Sequence, residues 1–265
     1  MKADPRFQLT ERRAIHDGYA YHISLCLPDG PAPVNGWPAL LLLDADGCFA
    51  TATEALQRMA RRPDATAVEP MVLIGIAHAG DDNKARRETD FTDFVPTEGE
   101  EGSRGGSGRH FLEFLRREVI QSVPAPLDGG RLALFGHSLG GYFTLWALTH
   151  GGYGFSRFIA VSPSIWWDSE QLQPAGIAVG GSSRVLLLAG EWEGPLPPWQ
   201  AALENADSVR KRRSQRNMIE AARELGMQLQ SQLGDGGAAF HLLPGEDHAS
   251  IVSAAIPRAL RLAST

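Results

Sequence analysis

The stretch Leu132–Thr149, LALFGHSLGGYFTLWALT, decides the fold. Its first four residues are a short, wholly apolar run of the kind that forms a buried strand, and from Gly141 onward the pattern is helical. Between them Gly136-His137-Ser138-Leu139-Gly140 has the form Gly-x-Ser-x-Gly. That pentapeptide is common by chance. It gains meaning between a strand and a helix, where the serine sits on a strained turn and its Oγ projects above the sheet. Gly136 and Gly140 suit so sharp a bend, because side chains there would strike neighbouring backbone. Ser138 is therefore the candidate nucleophile.

Similar apolar runs bounded by turn residues recur on both sides: Tyr21–Leu27, Ala39–Leu43, Met71–Ala77, Phe158–Ser162, Arg184–Ala189 and Phe240–Leu243. Several lack alternation, as strands covered on both faces do. Helical patterns occupy Glu54–Arg61, His110–Ile120, Gly141–Thr149 and the long Ala201–Leu233 stretch. Strands alternating with helices imply crossover units, hence an α/β protein with a mostly parallel central sheet flanked by helices. The segment YAYHISLCLPDG alternates and ends in a Pro/Gly turn, which predicts an antiparallel hairpin strand at the sheet edge. Residues 97–108, TEGEEGSRGGSG, are too rich in Gly and acidic residues to enter a core and predict a flexible loop. Their glycines match neither phosphate-binding pattern. The whole chain, residues 1–265, reads as one domain, since α/β units often reach about 250 residues.

Bulk properties narrow the classes of function. Hydrophobic residues make up 43% and charged residues 21% of the 265, a composition able to bury a large core. The formal charge of −6 gives no general attraction to nucleic acid or anionic membrane. Arg210-Lys-Arg-Arg213 lies among acidic residues on a helical pattern and reads as a solvated face. No apolar run reaches the roughly 18 residues of a membrane helix. The N-terminus carries charges and Pro where a secretory apolar core would lie, so the expected location is cytoplasmic. Cys26 and Cys48 have no metal-ligand spacing and read as buried apolar fillers. Nothing in the pattern sets an oligomeric state.

A serine hydroxyl needs a base to take its proton and a third group to orient that base. In sheets that present a serine on such a turn the chain order is Ser, then Asp or Glu, then His. Two histidines lie well downstream of Ser138. His241 sits inside the run AFHLL and reads as a core or sheet-face residue, whereas His248 occupies the polar loop PGEDHAS just past that run. His248 is the candidate base. The strand Arg184–Ala189 runs into Gly190-Glu191-Trp192-Glu193, so both glutamates are candidates for the acid. Glu193 is favoured, with Asp247 as the alternative. The oxyanion needs two N–H donors, one from the residue after the nucleophile and one from an earlier loop. Leu139 fits the first. Ala45 in Asp44-Ala45-Asp46-Gly47 fits the second, with Asp46 as alternative. No metal or organic cofactor is expected, because the Asp pair has no partner ligand at useful spacing.

The segments LLLDADGCF, Arg87-x-x-Asp90-Phe-Thr, GHSLGGYF, Ser162-Pro-Ser-Ile-Trp-Trp167, LLLAGEWE and PGEDHAS together resemble the putative-esterase branch of the α/β-hydrolases. They are most similar to its catecholate siderophore esterases, which open enterobactin or salmochelin trilactones. The resemblance runs from about Tyr21 to Leu260. It implies Ser138 as nucleophile, His248 as base, and Glu193 at the position where this branch places the acid, although the siderophore subgroup is described as relying on a Ser–His dyad. Where the family commonly has Gly after the strand-ending Asp, this chain has Ala45. Trp166, Trp167 and Trp192 fall at strand ends and are candidates for stacking on aryl groups of a substrate. Arg87 either holds an anionic substrate or pairs with Asp90.

The expected activity is hydrolysis of a small-molecule ester through an acyl-enzyme. The leading substrate is a catecholate siderophore. The alternatives are a general short-chain or aryl carboxylesterase or acyltransferase, and a non-catalytic binding protein on the same scaffold.

Overall fold

The computed structural model describes residues 4–80, 83–93, 106–172 and 183–265. Of the predicted 97–108 loop, residues 97–105 lie outside that set, and Gly108 already begins a helix. The strands are β1 (Phe7–His16), β2 (Tyr19–Pro28), β3 (Trp37–Leu43), β4 (Val72–Ala79), β5 (Leu127–His137), β6 (Arg157–Val161), β7 (Arg184–Gly190) and β8 (Ala238–Leu243). They form an eight-stranded sheet in the order β1-β2-β4-β3-β5-β6-β7-β8. From β4 to β8 every neighbour is parallel, and β2 runs antiparallel to both β1 and β4.

The helices are α1 (Phe49–Met59), α2 (Pro63–Thr66), α3 (Asn83–Asp90), α4 (Gly108–Phe114), α5 (Leu139–Thr149), α6 (Pro198–Ala201), α7 (Ala206–Arg216), α8 (Met218–Leu233) and α9 (Ile251–Ser264). They cover the sheet on both faces, and this explains the continuous apolar runs. Along β3, Ala39, Leu41 and Leu43 point into the layer under α5 and α8, while Leu40 and Leu42 point into the layer under α1 and α9. The same alternation divides Leu132 and Leu134 from Ala133 and Phe135 on β5, so each strand serves two cores at once.

Three expectations change. β2 lies one strand inside the edge; the edge is β1, whose sequence FQLTERRAIH is too polar and exposed to signal a strand. The long Ala201–Leu233 pattern is broken at Asn217, which adopts φ 44° and ψ 42° between α7 and α8. Helix α9 lies outside the segments marked as helical by sequence, with Pro257 at its middle. Cys26 and Cys48 are buried and unbridged, and burial pushes both thiols up to about 12. No helix among the described residues is long and apolar enough to cross a membrane.

Candidate active site

Strand β5 delivers the chain to Ser138, which takes φ 57° and ψ −117° between the strand and α5. An L-residue pays strain for positive φ. The turn tolerates it because its surroundings leave no alternative. A Cβ on Gly136 would lie 2.0 Å from the Gly140 carbonyl oxygen, so only glycine lets strand and helix approach this closely. The Ser138 amide donates to the Val161 carbonyl at 3.0 Å, and its carbonyl accepts from the amides of Tyr142 and Ser164, each at 3.0 Å.

His248 reaches Ser138 from the loop after β8. Its Nε2 lies 3.2 Å from Ser138 Oγ, and its Nδ1 lies 2.5 Å from Glu193 Oε1. Glu193 is buried at the end of β7, 5% exposed. Its other oxygen, Oε2, accepts from the Gly190 amide at 2.9 Å and from the Ser162 hydroxyl at 2.8 Å. Burial works against the Glu193 charge, but the hydrogen bonds from His248, Gly190 and Ser162 outweigh it and hold the carboxyl below the usual carboxylate range. The serine, the imidazole and the carboxylate thus form a continuous chain of contacts, the arrangement that proton transfer from Oγ to Nε2 requires.

The competing acids serve other ends. Glu191 Oε2 accepts from the Gly245 amide at 2.7 Å, bracing the histidine loop from below. Asp247 Oδ1 accepts from the amides of Ala249 and Ser250 at 2.8 and 2.9 Å, which closes the turn leading into α9. His241 lies exposed on β8, the edge strand opposite β1.

At the other side of Ser138, Leu139 is the first residue of α5, so its amide has no carbonyl one turn earlier to bond. Ala45 follows Asp44, which is left-handed at φ 50°, and begins a short 3₁₀ turn. The Asp44 carboxylate stands 3.2 Å from where a Gly140 Cβ would be, which sets this loop against the start of α5.

Arg87 departs from the sequence expectation. It makes a two-armed ion pair with Asp44, Nε to Oδ1 at 2.7 Å and Nη2 to Oδ2 at 2.8 Å, rather than pairing with Asp90. Asp90 is taken by its other neighbours: Arg86 Nε at 2.9 Å, His78 Nε2 at 3.0 Å and the Tyr21 hydroxyl at 2.6 Å. That buried network locks α3, and α3 in turn presents Arg87 to the Asp44 loop.

Beside His248 opens a cavity of about 350 Å³ whose lining includes Trp192, Met218, Arg212, Arg213 and Arg216. The basic run of α7 is therefore only partly the solvated face that its sequence suggested. Arg213 donates to the Pro195 carbonyl and Gln200 Oε1, and the Arg216 guanidinium lies 4.3 Å from the centre of the Trp166 ring. Trp166 and Trp167 meet edge to face with centres 5.8 Å apart and are 38% and 41% exposed, so neither is consumed by packing.

Sequence reasoning missed Ser162, Asp44 and these arginines as site residues. Ser162 carries a weak signal, a serine before proline at a strand end, and adopts φ 45°. The arginines carry none, because only the fold brings α7 to the rim of this cavity.

Comparison with known proteins places the chain among esterases. The family model described as putative esterase matches residues 18–228. The ferri-bacillibactin esterase BesA of Bacillus subtilis is 31% identical over 262 residues, covering 94% of this chain and 86% of that protein. The siderophore triacetylfusarinine C esterase of Aspergillus fumigatus is 31% identical over 250 residues, covering 88% of this chain and 82% of that protein. Among solved structures, the BES protein from Bacillus cereus superposes with a TM-score of 0.79 at 24% identity, covering 100% of this chain and 98% of that one, and shows the shared fold.

Proposed function

The chain belongs to the putative esterase family, serine hydrolases of carboxylic esters on the α/β-hydrolase fold, and we propose that it opens the ester bonds of an anionic, aryl-bearing siderophore of the catecholate type. The observation that carries the substrate reading is the cavity beside His248, where Trp192 and three arginines gather in a chain whose formal charge is −6. Arginine and aromatic surfaces together suit a ligand that is both negatively charged and flat-ringed. The names of the relatives, esterases of ferri-bacillibactin and of the siderophore triacetylfusarinine C, support a siderophore ester as the substrate, and the arginines and Trp192 favour the anionic, aryl-bearing kind.

Ser138 Oγ attacks the ester carbonyl as His248 Nε2 takes its proton, and Glu193 stabilises the imidazolium through Nδ1–H. The amides of Leu139 and Ala45 hold the oxyanion. His248 then gives the proton to the leaving alkoxide. Water enters, is deprotonated by His248 and releases the acid from Ser138. Trp166 and Trp167 form an outer aromatic wall, with Arg216 bridging it to the cavity. The free, buried thiols Cys26 and Cys48 support a cytoplasmic location, where cysteines stay reduced.

Side-by-side turnover of p-nitrophenyl acetate, p-nitrophenyl butyrate and a catecholate trilactone, with and without iron, tests the reading. A large kcat/KM preference for the trilactone is expected. Turnover of the short esters alone would leave a general carboxylesterase. S138A is expected to lower kcat on the order of 10⁴–10⁶-fold, and an active S138A protein would remove the nucleophile assignment.

A further inference from the structure

The tip of the β1–β2 hairpin holds a second group of chemically active side chains, separate from the catalytic set. His16 ends β1, Asp17 opens the turn with φ 50°, and His110 comes from α4. Asp17 Oδ2 lies 3.2 Å from His110 Nε2 and 3.6 Å from His16 Nε2, and the three ligand atoms all lie within 4.8 Å of one another. A four-coordinate zinc ion with bonds of about 2.0–2.1 Å sets its ligand atoms about 3.3 Å apart, so two of the three separations already have the size of a metal site.

The surroundings of His16 also suit a cation. His16 is flanked by two carboxylates, Glu118 Oε1 at 3.6 Å from Nδ1 and Asp17 Oδ2 at 3.6 Å from Nε2. A neutral imidazole has one proton and can serve only one of them. With the proton on Nδ1 toward Glu118, the Nε2 lone pair faces the Asp17 carboxylate. That nitrogen is buried and makes no hydrogen bond among the described residues. A carboxylate on the far nitrogen of a histidine is the usual outer support of a metal ligand, fixing the tautomer that leaves Nε2 bare. Phe114 stacks on the His16 ring with centres 4.3 Å apart and holds its plane. Arg86 Nη2 stands 3.8 Å from Asp17 Oδ2 and makes no hydrogen bond among the described residues, while its Nε is engaged by Asp90 and its guanidinium lies 4.2 Å from the centre of the Tyr19 ring.

We propose that His16 Nε2, His110 Nε2 and the Asp17 carboxylate bind a divalent transition metal, zinc in the first instance, which ties the β1–β2 turn to α4. Two imidazoles and one carboxylate suit zinc, copper or nickel, whereas magnesium and calcium prefer oxygen ligands alone. Asp17 and His110 are 42% and 56% exposed in their side chains, which leaves an entry path and an open fourth position for water. The metal takes no part in ester hydrolysis. It clamps an edge hairpin.

Calorimetric titration of the full-length protein with zinc chloride, and separately with magnesium chloride, tests this together with thermal melting. One zinc per chain with micromolar affinity is expected, with Tm raised by about 5 °C or more at a hundredfold excess over Kd and no response to magnesium. H110A and D17N both change exposed side chains. Each is expected to weaken zinc binding at least tenfold and abolish the Tm shift while leaving p-nitrophenyl acetate turnover in metal-free buffer unchanged. H248A controls for zinc captured by the catalytic histidine and is expected to retain the binding. Zinc uptake that persists in H110A and D17N, uptake lost in H248A instead, or no heat and no Tm shift at millimolar zinc would each overturn the proposal.

Discussion

The change that most directly tests the proton path is Glu193→Gln, which alters no heavy-atom shape. Glu193 Oε2 accepts from the Gly190 backbone amide at 2.9 Å, and that amide can only donate. The carbonyl oxygen of a glutamine must therefore occupy the Oε2 position, which puts its NH₂ where Oε1 now meets His248 Nδ1. An NH₂ there selects the tautomer protonated at Nε2, and this aims a proton at Ser138 Oγ, 3.2 Å away, in place of the lone pair that should receive one. The lost attraction between imidazolium and carboxylate, at about 4 Å between charge centres and an effective dielectric of about 20, is worth about 4 kcal/mol. Each tenfold bias toward the wrong tautomer adds about 1.4 kcal/mol. Together they predict a fall in kcat of about 10⁴, the size that follows an acid-to-amide change in other triads. The assay is steady-state hydrolysis of p-nitrophenyl acetate, with near-ultraviolet circular dichroism to show that the fold is kept. An E193Q protein within tenfold of the wild-type kcat would refute the argument and leave Ser138 and His248 acting as a dyad.

Three further outcomes follow from the same geometry. Arg87→Lys removes one arm of the pair with Asp44 and lets the Ala45 loop shift, so kcat should fall about 10–100-fold with KM little changed; a rise in KM alone would mean that Arg87 binds substrate instead. Gly136→Ala would drive a Cβ to 2.0 Å from the Gly140 oxygen and 2.7 Å from Thr144 Oγ1, costing more than about 4 kcal/mol, whereas Gly129→Ala, with nothing within 4 Å, should melt as the wild type does. Burial, with the adjacent His248 charge, lowers His137 from 6.5 to about 4. Between those values the unfolded chain holds a proton that the folded chain does not, so this contribution is complete above pH 6.5 and is lost as the pH falls toward 4, by up to about 3 kcal/mol. Urea unfolding at pH 4.5 and 7.5 should show a smaller difference for His137→Asn than for the wild type; equal differences would contradict the assignment.

The limits of sequence reading are physical and local. The strands β3 to β7 are legible because each carries a run that is apolar on both sides, β2 because its apolar residues alternate before a Pro/Gly turn, and β8 as a short apolar run bounded by turn residues, all properties of the residues alone. β1 is not, since an edge strand exposed along most of its length is held by its ladder to β2 and has no apolar signature. Ser138 and His248 are legible because a nucleophile turn and a histidine loop must stand at strand ends in a set order. Glu193 is favoured in the sequence but parts from Glu191 and Asp247 only on folding: all three are acids near the site, and which one faces Nδ1 depends on the pairing of β7 with β8 and on the donors that engage the other two.

By itself the sequence determines the class of chemistry, because Gly-x-Ser-x-Gly between an apolar run and a helix permits little besides a nucleophile elbow, and the family segments run almost the length of the chain. Tertiary structure alone decides what surrounds that nucleophile. It pairs Arg87 with Asp44 rather than Asp90, anchors Glu193 through Ser162 and Gly190, and brings Arg212 and Arg213 of the apparent solvent face, together with Arg216, to a cavity wall. These are contacts between residues far apart in the chain, where charge and hydrogen-bonding capacity are local properties but the choice of partner is not.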